Sequence, residues 1–244
     1  MDIIEHRFFF YKHNTEMLYI GSCRYMYGYN WDYFPARLYT TREIIYFLEN
    51  INDIKKVLDN NPSNLTNYIF GDIYGPSVID DTNRFINKKI NKSITKIIME
   101  ISSRKVMYYK DVPINHWFAQ RDNLQGYDLI EKILTDEEIE YDLKHIKNIC
   151  KMIFNEDIEI HIIPHLNLKT KSTLDYIFER NNFVILLEYV CNKYDIKINN
   201  IGKYLEGTYK DNDIFIEDYM PDSRHYNKDY DKVKAFLIKN IIGV

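Results

Sequence analysis

Apolar residues in this chain come in short runs separated by longer stretches with helical spacing. The run "EMLYIGS", residues 16–22, is apolar on both sides of the strand it predicts, and it stops at Gly21. "LYTTREIIYFLENI" follows. Thr40 and Glu43 have the spacing of a capping box, and Ile44, Phe47, Leu48 and Ile51 recur on one helical face. "TNYIFGDIYGPS" reads as a second short strand broken at Gly71, with a turn at Gly75-Pro76. In "SITKIIMEISS", Ile97, Ile98, Met99 and Ile101 are nearly continuous, as in a parallel strand buried on both faces. Thr135 with Glu138 opens a helix whose apolar positions are Ile139, Leu143, Ile146, Ile149 and Cys150. "DIEIHIIPHLN" predicts a fourth strand ending at Pro164, residues 173–194 a long amphipathic helix, and "DIKINNI" a short fifth strand. "HYNKDYDKVKAFLIKNII" closes the pattern as a helix.

Strands alternating with helix-length crossovers imply a three-layer α/β sandwich, with a central, mostly parallel sheet and helices on both faces. With no repeat and no low-complexity linker, residues 1–244 read as one domain. Ligands of such sheets bind beyond the carboxyl ends of the strands. Gly21-Ser22-Cys23, Gly71, Ser102-Ser103 and His165-Leu166-Asn167 all fall at predicted strand ends, so four polar clusters are expected on one rim.

Charge and composition narrow the function. The net charge is −4, with acids and bases interspersed, which excludes a protein built to neutralise nucleic-acid phosphate. No apolar run approaches the ~18 residues of a membrane span, and the start has no signal-peptide pattern. Cys23, Cys150 and Cys191 are odd in number and far apart, which fits neither a disulfide framework nor a metal site and suits a reducing, cytoplasmic compartment. Cys150 and Cys191 sit at apolar helix positions and read as core. Only 8 glycines occur, so each one is a strong pointer to a special backbone position.

Candidate chemistry lies at the two ends of the chain. In "MPDSRHYNKD", Asp222 and His225 are three apart in a polar turn before the last helix. A histidine acting as base for a nucleophile needs such a carboxylate to fix its tautomer and stabilise its charged form. The nucleophile would be Cys23, with Ser22 as its competitor or as a hydrogen-bond donor bracing the turn. Arg24, Arg37 and Arg42 stand near this block, where together they could bind phosphate or carboxylate. His165 and Asn167 are candidate substrate contacts. The aromatic run from Tyr25 to Phe34 suits packing or the stacking of sugar rings.

A glycine-containing nucleophile block after the first strand, joined to Asp-x-x-His before the last helix, resembles the SGNH/GDSL hydrolase superfamily across essentially the whole chain. The triplet Gly21-Ser22-Cys23 puts cysteine where that superfamily carries serine, and "IGSCR" is similar to its GSCFA-type variant. It is also similar to capsule-polysaccharide acetyltransferases with a cysteine nucleophile. The resemblance implies a flavodoxin-like sheet, a Cys23–His225–Asp222 triad, and acyl transfer to a sugar, nucleotide-sugar or glycan in polysaccharide biosynthesis. Acetyl-CoA or another acyl-CoA would be the donor, with no metal. It assigns Gly71 to the oxyanion hole. The third strand ends "EISSR" where the superfamily has Gly-x-Asn, so Ser102 or Ser103 would donate instead, with Ser22 and Arg24 as auxiliaries. A carbohydrate esterase or deacetylase, or an inactive carbohydrate-binding module, are the alternatives.

Overall fold

A computed structural model describes residues 16–21, 33–36, 38–62, 65–70, 94–115, 126–209 and 213–220. Ser22, Cys23, Arg24, Arg37, Gly71, Asp222, His225 and the closing helix lie outside the described residues. Among the described residues five strands form the main sheet: β1 (Glu16–Ile20), β2 (Tyr33–Ala36), β3 (Ile94–Ile101), and then β7 (Glu159–Pro164) and β8 (Lys197–Ile198). Their order is β2-β1-β3-β7-β8 and every pairing is parallel. Counted along the chain, the order within the sheet is 2-1-3-4-5, the doubly wound, flavodoxin-like arrangement.

The continuous apolar run of β3 is explained by its place in the middle. Leu18 pairs with Ile97 on one side, and Ile97 with Ile160 on the other. Ile97, Ile98 and Met99 are all fully buried. On one face pack α1 (Thr41–Glu49), α4 (Asp136–Ile153) and α5 (Phe178–Lys193), through Ile44, Phe47, Leu48, Leu143, Ile146 and Leu187 among others. On the other, Tyr19, Ile98 and Ile163 meet α6 (Ile201–Thr208) and α7 (Ile216–Tyr219). The result is the three-layer α/β sandwich expected. Both capping boxes are formed: Thr40 with Glu43 opens α1, and Thr135 with Glu138 opens α4. Among the described residues no helix is long and apolar enough to cross a membrane.

Two expectations are corrected, and one unit was not expected. Residues 66–69, read as the second strand, are a helical turn, α3 (Thr66–Ile69). The partner of β1 is instead Tyr33–Ala36, which carries Pro35. An edge strand tolerates proline because only one side of it needs a full ladder. The long helix expected from 173 begins at Phe178, because Lys169 bridges Tyr176 and Leu174 takes a left-handed φ of 58°. A meander unforeseen in the sequence follows β3 directly: β4 (Lys105–Tyr109), β5 (Val112–Ile114) and β6 (Leu129–Ile133), antiparallel in the order β5-β4-β6. Its first turn places Lys110 at φ 54°, where glycine is usual. α2 (Ile54–Asp59) lies between α1 and α3 and adds Ile54 and Val57 to the core.

Candidate functional site

Strand order reverses between β1 and β3: the chain leaves β1 toward one edge of the sheet and β3 toward the other. The crevice beyond the carboxyl ends at such a point is where open α/β sheets bind ligands. Gly21, the last described residue before Ser22-Cys23, closes β1 here. Ser102 and Ser103 close β3, and His165-Leu166-Asn167 follow β7, so Gly21 and these two predicted clusters share one rim.

Gly21 is held by close approach. An added Cβ would lie 2.6 Å from Glu100 Cβ and 2.8 Å from the Tyr19 hydroxyl. Glu100 is 1 % exposed, and the Tyr19 hydroxyl donates to its Oε2 at 3.3 Å. A carboxyl group therefore lies buried beneath the rim, against the backbone that leads into the candidate nucleophile.

The end of β3 is tied to the start of α1. The Ser102 and Ser103 amides both donate to the Tyr39 carbonyl, at 3.0 and 3.1 Å. The Ser103 hydroxyl accepts from the Lys105 amide at 3.0 Å. Both backbone donors that an oxyanion hole could use at this strand end are thus engaged. Tyr39 in turn donates its amide to Glu43 Oε2 at 2.6 Å, and the Thr40 amide donates to the same oxygen at 3.2 Å. Glu43 Oε1 is buried with no partner among the described residues. Burial pushes the Glu43 carboxyl up to about 8 despite these bonds.

Next to it lies a second buried acid. The Thr41 hydroxyl donates to Asp142 Oδ2 at 2.6 Å, and Arg42 Nε approaches the same oxygen at 2.9 Å without aligning its N–H. Burial raises the Asp142 pKa, opposed by the Thr41 bond and the Arg42 charge. Arg42 also stands 3.7 Å from Glu138, so this guanidinium is committed to acids of α4. Tyr108 of β4 shares the field of the group. Its hydroxyl pKa is raised first by burial, and then by Asp142, Glu138 and Glu43 against Arg42.

On the third strand end, His165 is half-buried, with Nδ1 3.0 Å from the Leu166 carbonyl. Asn167 is buried and donates Nδ2 to Asn181 Oδ1 at 2.8 Å, while its own Oδ1 has no partner among the described residues. Its backbone is clamped by Gly202, whose added Cβ would lie 2.1 Å from the Asn167 carbonyl oxygen.

Cys150 and Cys191 are both fully buried, as expected of core residues. Burial raises both thiols, Cys191 to about 12. No group of three or more His, Cys, Asp or Glu able to hold a metal occurs among the described residues. A shallow cavity of about 370 Å³ is lined by Tyr109, Lys110, Gly126, Tyr127, Asp128 and Ile130, all belonging to the meander and its loops rather than to the rim. Sequence reasoning missed Glu100, Asp142 and Tyr108. It saw Glu43 only as a cap. An acid inside the otherwise apolar "IIMEI" was the signal available for Glu100.

No known family's sequence profile matches this chain, and no curated protein matches it. Among solved structures, a crystal structure of a protein from Parabacteroides merdae, provisionally described as a GDSL-like lipase, is similar over 95 % of this chain and 97 % of its own, at 12 % identity and a TM-score of 0.45. Likeness this loose carries no argument, and the fold stands on the strand order itself.

Proposed function

We propose that this chain is an acyltransferase with Cys23 as nucleophile, His225 as base and Asp222 as the partner of that histidine, acting on a carbohydrate acceptor. The observation that carries the reading is Gly21: the residue before Ser22-Cys23 ends a central strand at the point where strand order reverses. The sequence resemblance supplies the chemistry. The Cys23 thiolate attacks the acyl carbon of an acyl-CoA, a new C–S bond forms, and the CoA thiolate leaves, taking a proton from the His225 imidazolium. An acceptor hydroxyl then attacks the thioester and gives its proton to His225. The C–O bond forms as the bond to Cys23 breaks, and the thiolate is restored. Arg24, Arg37 and Arg42 were the candidates for the donor's phosphates. The pairing of Arg42 with Asp142 leaves Arg24 and Arg37 as the better ones. With residues 66–69 helical, Gly71 no longer follows a strand, which leaves the Ser22 or Ser102 hydroxyl as the candidate for the oxyanion, and His165 and Asn167 for acceptor contact.

Binding without turnover is favoured by one observation, the engagement of the Ser102 and Ser103 amides by Tyr39. The deciding experiment is incubation with acetyl-CoA followed by intact-protein mass spectrometry of wild type, Cys23→Ala and Ser22→Ala. An acetyl adduct lost only in Cys23→Ala supports the proposal, and loss only in Ser22→Ala moves the nucleophile by one residue. No adduct, with turnover of a simple acetyl ester, makes the chain an esterase. No adduct and no turnover leave a binding module.

A further inference from the structure

We propose that Glu100 and Tyr19 are a positioning pair for the nucleophile: their hydrogen bond fixes the backbone that enters Ser22-Cys23. The proposal rests on the reading of Cys23 given above. β3 is filled by Ile94, Ile97, Ile98, Met99 and Ile101, each at most 1 % exposed. A strand that only had to fill the core would carry another apolar residue at 100. Burying a carboxyl there is costly unless hydrogen bonds compensate. Tyr19, fully buried on the neighbouring strand, supplies one at 3.3 Å.

The pair is aimed at one place. Ile20 pairs with Met99, so the next residue of β1, Gly21, comes beside Glu100. Having no side chain, Gly21 lets its backbone rest directly on the Glu100 stem and the Tyr19 hydroxyl, leaving 2.6 and 2.8 Å to an added Cβ. Cys23 is two residues on, within ~7 Å of Gly21 along even a fully extended chain. A change at the Gly21 peptide therefore has only two residues of chain to pass along before Cys23. In this scheme Glu100 and Tyr19 are positioning residues that act through the Gly21 backbone.

The test is a double-mutant cycle read by Cys23 alkylation, located by peptide mass mapping, with all proteins folded. Tyr19→Phe removes only the hydroxyl. Glu100→Met removes both carboxyl oxygens and keeps the bulk. Each single variant should label Cys23 roughly twofold to tenfold more slowly, the range one hydrogen bond is worth. The loss in the double variant should fall well short of the product of the two single losses, because both changes remove the shared bond. Should Glu100→Met fail to fold, Tyr19→Phe alone decides. Wild-type labelling rates in Tyr19→Phe, or losses that multiply in the double variant, overturn the pair. If wild-type Cys23 labels no faster than in the urea-unfolded chain, the nucleophile reading fails and this proposal goes with it.

Discussion

The Thr41 hydroxyl donates to Asp142 at 2.6 Å, and so joins the first turn of α1 to the second turn of α4 across 101 positions of sequence. Both side chains are fully buried. Thr41→Val keeps the shape and removes the donor, leaving a buried carboxyl oxygen that, among the described residues, Arg42 alone faces. Unsatisfied buried groups cost about 1–3 kcal/mol. The urea midpoint should fall accordingly, with an unchanged m-value.

Glu43 makes stability depend on pH. Its folded pKa of about 8 lies above the ordinary 4.5, so the folded chain holds the proton more tightly than the unfolded chain. Its contribution is therefore fully present below 4.5, is lost as pH rises from 4.5 to 8, and stays lost above that. The loss is on the order of 3–5 kcal/mol. Asp142, also raised, adds in the same direction. Glu159 has the opposite sign. The hydrogen bond from Lys197, helped by His161 and Lys96, holds it near 2, so its contribution is lost as pH falls from 4.5 through 2. Stability should peak on the acid side of neutrality, and Glu43→Gln should flatten the alkaline side in chemical denaturation at pH 5, 7 and 9.

Two glycines should resist alanine for reasons of space. Gly21→Ala drives a methyl into the Glu100 stem, and Gly202→Ala drives one into the Asn167 backbone. Overpacking costs ~1–3 kcal/mol. Gly202→Ala should lie at or above the upper end, because its obstacle is backbone and cannot swing away. Gly207, with nothing within 4 Å, serves as the control: its alanine variant should melt at or above the wild-type temperature.

In the folded protein at pH 8, Cys150 and Cys191 should stay unlabelled by iodoacetamide for as long as the chain remains folded, since both are sealed from solvent with raised thiol pKa values. Fast labelling should map to Cys23, and His225→Ala should slow it. Early modification of either helix cysteine would contradict the packing described.

Elements with a strong local signature were legible. β3 and β7 carry near-continuous apolar runs because they are covered on both faces, and α1 and α4 announce themselves by capping boxes. The helical turn at 66–69 was misread because four residues are too few to show a period. The β4–β5 turn was missed because Lys110 stands where glycine or asparagine would have marked it. At the rim, scarcity made Gly21 conspicuous. What glycine accommodates there, the Glu100–Tyr19 bond, depends on strand pairing and could not be read locally. Glu43 was visible as a cap, but its burial is a fact of tertiary structure.

The parallel sheet also sets an order of events during synthesis. β1 leaves the ribosome well before its central partner, β3, which begins only at Ile94. The β4–β5 hairpin closes across two residues, whereas the β1–β3 ladder must first close a loop through everything between them. Until then "MLYI" is an apolar strand with its inner edge open. Slow translation between residues 21 and 94, or depletion of chaperones, should penalise the yield of this protein more than any weakening of the meander.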